Sequence, residues 1–119
     1  MFALLNSYLI FLLASLIDHF LSKRFSWNVI IKQEGRAGSV DYCEGSRKIR
    51  FDWEFGGGNV VVILRWSSAF DWEVQNPWAA GRKREIMERI AQEVIRQKAH
   101  DCVPQFNEAA TMIQLSMKG

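Results

Sequence analysis

The stretch from Lys48 to Phe55, KIRFDWEF, alternates almost without fault between charged and apolar residues. Successive side chains of a pleated strand point to opposite faces. Ile49, Phe51, Trp53 and Phe55 are therefore assigned to a core, and Lys48, Arg50, Asp52 and Glu54 to solvent. A helix cannot gather a period of two onto one face. The segment thus calls for a sheet covered on one side and open on the other, and the rest of the chain must supply the cover.

Neighbouring segments obey the same rule. WNVIIKQ (27–33) is rich in β-branched residues and reads as a strand; after the turn EGRAGS, VDYCE (40–44) reads as a short one. GGGN (56–59) suits a hairpin loop, and VVVILRW (60–66) is apolar on both faces, as a central strand would be. An antiparallel meander of three to four strands is expected.

FDWE occurs at 51–54 and again at 70–73. The flanks of the copies differ, KIR and FGGGN around one, SSA and VQNPW around the other, whereas a structural repeat extends over about 20 residues or more. The second copy is expected to be another short strand, with Phe70 and Trp72 facing one way and Asp71 and Glu73 the other.

The pattern then turns helical. Asn76 can cap a helix, Pro77 suits its first position, and Ile86, Met87, Ile90 and Val94 form an apolar stripe up to Val103, before Pro104. In the last segment Phe106, Ala110, Ile113 and Met117 recur at helical spacing, which predicts a short amphipathic C-terminal helix. At the other end, MFALLNSYLIFLLASLIDHFLSKRF has no charge before Asp18. Ser7, Ser15, Asp18 and Ser22 fall in one narrow helical sector, which favours a core helix over residues 1–22. The competing assignment is a membrane anchor: the run is slightly shorter than the about 20 apolar residues of a span, and Lys23 and Arg24 would keep the C-terminal remainder of the chain in the cytoplasm. No basic start and no small-x-small site mark a cleaved leader.

These elements add up to one domain over residues 1–119, an α+β two-layer sandwich. It has an N-terminal apolar helix, a three- to four-stranded antiparallel meander, a long amphipathic helix and a short C-terminal helix. A content of 49% hydrophobic and 24% charged residues is that of a globular protein.

Function is less legible. A net charge of +2 does not argue for nucleic acid. Arg82, Arg89 and Arg96 recur every seven residues, but Glu85, Arg89 and Glu93 alternate as a salt-bridge ladder would, so no nucleic-acid partner is expected. Cys43 and Cys102 are far apart and His19 and His100 isolated, so neither metal nor cofactor is expected, and the thiols are read as idle rather than as one long-range disulfide. Asp52 and Glu54 lie on one face about 7 Å apart if the strand is regular, a spacing that a small hydrolase could use were His100 or Cys102 to meet them. Lys48 and Arg50 on that face favour a charge-paired surface instead.

The expectation is therefore a non-catalytic, cytoplasmic protein-interaction domain of the adaptor, chaperone or toxin-neutralising kind. The alternatives are a membrane-anchored small protein with a cytoplasmic α+β domain, associated with the inner membrane through residues 1–22, and a hydrolase using Asp52 and Glu54. The partner, an unknown protein or a second copy of the chain, is expected on the acidic and aromatic passage Phe70, Asp71, Trp72, Glu73, Pro77 and Trp78. A sheet edge formed by VDYCE or FDWEV competes as the docking surface.

Overall fold

A computed structural model describes residues 13, 26–66, 68 and 70–119. The apolar segment 1–22, assigned above to a core helix or an anchor, lies outside the described residues save for position 13. Six strands form one antiparallel sheet: β1 (Trp27–Glu34), β2 (Ala37–Glu44), β3 (Arg47–Phe55), β4 (Val60–Arg65), β5 (Cys102–Asn107) and β6 (Met112–Met117). The spatial order is β1-β2-β3-β4-β6-β5. Between β4 and β5 the chain makes a short helix α1 (Trp72–Gln75), a 3-10 turn (Pro77–Ala79) and the long helix α2 (Lys83–Lys98).

The fold is α+β with an antiparallel sheet, but the expected sandwich is corrected in several places. The sheet has six strands rather than three or four. The predicted C-terminal helix is the hairpin β5–β6, in which Ile113 and Leu115 are buried and Met112, Gln114 and Ser116 half-buried. Spacings of four, three and four through Phe106, Ala110, Ile113 and Met117 fit a helix, yet the strict alternation in MIQLSM fits a strand equally well. A turn at 108–111 decides between them. Asn107 Oδ1 accepts the Ala110 N–H at 3.1 Å, and Thr111, at φ 48, reverses the chain. The predicted long helix from Pro77 is also split: Gly81, at φ 74, breaks it after the 3-10 turn, and α2 starts only at Lys83.

The predicted strand at the second FDWE is instead a bend at Phe70, an N-cap at Asp71 and the start of helix α1 at Trp72. Trp72 is buried at 2% exposure, while Phe70, two residues away, is 67% exposed. Phe70 stands in a bend and Asp71 at the N-cap, so only Trp72 and Glu73 of this copy are helical, and the two copies of FDWE serve different geometries. In β3 the alternation holds: Ile49, Phe51 and Trp53 are buried beneath α2, and Phe55 at the strand end is partly exposed. β4 sits between β3 and β6, the central place its two apolar faces suggest.

The core lies between the sheet and α2, where Ile86, Met87, Ile90, Ala91 and Val94 meet Val40, Tyr42, Phe51, Leu64, Ile113 and Leu115. Full burial of each such aliphatic or aromatic side chain contributes about 1.5–3 kcal/mol. The opposite face of the sheet has no helix over it among the described residues. It carries ion pairs instead, Arg50 to Asp41 at 2.7 Å and Arg65 to Glu54 at 2.8 Å. Asp41 is nevertheless only 3% exposed, and the Arg50 guanidinium on it holds its carboxyl below the usual carboxylate range.

One close approach in this sheet fixes a residue type. The Trp53 indole crosses Gly38 and donates from Nε1 to the Lys32 carbonyl at 3.0 Å, linking β3 to β1 over β2. A Cβ at position 38 would meet the Lys32 carbonyl oxygen at 2.0 Å and the indole at 2.8 and 2.9 Å. Gly38→Ala is expected to destabilise the fold by about 2 kcal/mol, readable as a lower urea midpoint at unchanged slope.

Candidate functional site

Helix α1 is a single turn and has no stability of its own. It is held by Trp72, whose Nε1 donates to the Ala79 carbonyl at 2.9 Å and whose ring packs edge-on against Trp66 at 5.3 Å. Glu73 accepts the Gly81 N–H at 3.1 Å and ties the helix to the start of the next turn. Anchored in this way, α1 raises its other side into solvent. Val74 of α1 is 71% exposed, and Phe70, in the bend just before the helix, is 67% exposed.

The expected docking passage therefore divides. Phe70, Asp71, Glu73 and Pro77 are exposed and Trp78 is half-buried, with the Arg47 guanidinium 5.7 Å from its ring centroid. Trp72 does not reach the surface and acts as the anchor of the passage. Val74, which the sequence pattern did not single out, is the most exposed large apolar residue described. A strand assignment puts Val74 on the same face as Trp72 and so among the core residues, which hides its exposure.

A second cluster joins the sheet to α2. The Tyr42 hydroxyl donates to Glu44 Oε2 at 2.7 Å and accepts from Arg89 Nη1 at 2.8 Å. Arg82 Nη2 donates to both Glu44 oxygens at 3.0 and 3.1 Å, and Arg82 Nε donates to Glu85 at 2.6 Å. Trp27 covers the cluster, stacked on Tyr42 at 6.0 Å with Arg89 4.9 Å from its centroid. Burial and the neighbouring Glu44 carboxylate push the Tyr42 hydroxyl up to about 12. Burial also works against Glu44 ionisation, but the bonds from Arg82 and Tyr42 outweigh it and hold Glu44 below its ordinary value. A phenol raised so far is a weak proton donor, and each polar group of the cluster already has a protein partner. The arrangement is a clasp between β2 and α2.

Two arginines of the basic stripe, Arg82 and Arg89, are thus turned inward, and the third, Arg96, pairs with Glu93 at 2.9 Å. Glu85 also approaches Arg89 at 3.7 Å, as the ladder pattern suggests.

Asp52 and Glu54 border an open groove of about 560 Å³ on the uncovered sheet face, together with Glu34, Ser39, Arg50 and Arg65. Neither His100 nor a cysteine lines it. Cys102 is buried on the helix side at the start of β5, where burial pushes its thiol up, and His100 is exposed in the turn before it. Cys102 is therefore on the other face of the sheet from Asp52 and Glu54, and His100 lies outside the groove that they border. Cys43 and Cys102 are both free, with three strands between theirs. Among the described residues, no three His, Cys, Asp or Glu side chains gather as a metal site requires, and no helix is long and apolar enough to cross a membrane.

The predicted docking edges are corrected as well. VDYCE belongs to β2, which is paired on both sides, and FDWEV forms no strand, its last three residues being part of α1; the outer strands are β1 and β5. Comparison with protein-family models, curated proteins and solved structures found no match.

Proposed function

We propose that this chain is a non-catalytic interaction domain that presents α1 to a protein partner. The observation that carries the proposal is the exposure of Val74 on helix α1, and of Phe70 in the bend that leads into it, while Trp72 of the same helix is fixed in the core. Large apolar side chains held out in this way, beside the half-buried Trp78, suit insertion into an apolar pocket. Asp71 and Glu73 border them, so the complementary surface carries Lys or Arg at its rim. Two free thiols suit a reducing compartment, which supports a cytoplasmic location, at the inner membrane if residues 1–22 anchor the chain.

A photo-reactive side chain placed at Val74 in cells tests this. It is expected to give a discrete adduct that Phe70→Asp suppresses and that the same group at Gln105, an exposed position of the outer strand β5, does not give. Equal adducts from the two positions would remove α1 as the docking element. Phe70→Asp and Val74→Asp should each change folding stability by no more than about 0.5 kcal/mol, as measured by urea unfolding, because neither side chain is part of the core.

A further inference from the structure

The two outer strands of the sheet differ in how they meet solvent. β5 carries Pro104, which has no N–H to offer an incoming strand. β1 runs eight residues, WNVIIKQE, without a proline, and no strand among the described residues pairs with its outer edge. The Ser26 carbonyl accepts the Gly45 N–H at 3.4 Å and the Lys32 carbonyl is reached by Trp53 from across β2, so even-numbered residues turn their backbone groups inward. By the alternation of an antiparallel ladder, Trp27, Val29, Ile31 and Gln33 turn theirs outward. The Val29 carbonyl has one distant donor, Gln97 Nε2 at 3.5 Å, and keeps a second lone pair.

From this edge we infer that β1 pairs antiparallel with β1 of a second copy of the chain, about a two-fold axis at Ile30, to give one continuous sheet through both copies. Such an axis stands perpendicular to the sheet, so both α2 helices lie on the same side. Faces match only if an even residue meets an even one, which permits a centre at Ile30. There Ile30, 43% exposed, covers itself, and Val29 meets the partner's Ile31. Asn28 lies opposite the partner's Lys32 and Trp27 opposite the partner's Gln33, so no like charges face each other. Centring on Ile31 would put Lys32 against the partner's Ile30 and leave Trp27 beyond the paired strands. A single strand per copy is a small interface, so the association is reversible and depends on concentration.

Because Ile30 turns its backbone inward, it meets its counterpart in a non-hydrogen-bonded pair, with Cα atoms about 4.5 Å apart, a separation that a disulfide spans. The full chain carrying Ile30→Cys is expected to form a covalent dimer on mild oxidation. Lys32→Cys is the control: the two substituted positions would stand about 13 Å apart, beyond disulfide reach. The unsubstituted chain reports any linkage through Cys43 or Cys102. In sedimentation, the unsubstituted chain is expected to dissociate on dilution, and Ile30→Lys to weaken the dimer at least tenfold with its melting temperature as a monomer unchanged. A covalent dimer as abundant from Lys32→Cys as from Ile30→Cys, or an unsubstituted chain monomeric at all concentrations, would overturn the inference.

Discussion

Trp72→Ala is expected to lower stability by about 3–5 kcal/mol, in the range of the largest single core truncations. Three contributions coincide at this residue. The indole is 2% exposed, its N–H satisfies the Ala79 carbonyl, and its ring closes against Trp66. Truncation leaves a cavity, removes one of the two donors to the Ala79 carbonyl, which keeps the Arg82 N–H at 3.0 Å, and releases the one-turn helix α1 from its anchor in the core. A fall in melting temperature of more than about 10 °C is expected, with heat and chemical unfolding agreeing. Trp78→Ala, half-buried and in contact with Arg47, should cost distinctly less. If the order of the two were reversed, Trp72 would not be the anchor of α1.

The second large effect is expected at Arg82. Its guanidinium bonds both oxygens of Glu44, whose side chain is only 5% exposed. Arg82→Ala leaves that carboxylate buried with the Tyr42 hydroxyl as its remaining close donor, at a cost of about 3 kcal/mol at pH 7. The pH dependence separates this from a simple packing loss. In the unsubstituted protein Glu44 is held below its ordinary value, so its contribution is present at pH values above the usual carboxylate range and is lost as pH falls through the lowered value. Without Arg82, burial dominates and raises Glu44, so protonation relieves the variant as pH falls from 7 towards about 5. The difference in urea midpoint between the two proteins should therefore shrink between pH 7 and pH 5. A difference that stays constant over that interval would show that Glu44 is not the group responsible.

Much of the scaffold could be read in the chain because periodicity there was unambiguous. KIRFDWEF can only alternate, and Ile86, Met87, Ile90 and Val94 can only form a helical stripe; these four and Ile49, Phe51 and Trp53 became core as patterned, whereas Phe55, at the strand end, stays 40% exposed. What escaped was segments with two consistent periods. MIQLSM alternates, yet its residues also join Phe106 and Ala110 at helical spacing, and the choice was made by a turn at Thr111 whose positive φ no sequence pattern announces in a β-branched residue. FDWE at 70–73 obeys the strand rule locally, but Trp72 finds both a ring partner and a carbonyl on the helix side only by coiling. Tertiary contacts overrode local pattern there. The proposed docking passage was chosen for its tryptophans, and Trp72, the more buried of the two, lies in the core rather than at the surface. The clasp of Tyr42, Glu44, Arg82 and Arg89 could not be anticipated, because its members come from β2 and the α2 region and look like solvated charges until the two are packed.

The most direct measurement of the proposed function is a titration of the partner captured through Val74 against the purified chain and its Phe70→Asp variant, with folding monitored on the same samples. An interaction domain that docks through α1 predicts binding weakened about 30-fold or more by Phe70→Asp, the scale of a central apolar contact, with the unfolding midpoint unchanged. Equal affinity of the two proteins, both folded, would contradict it.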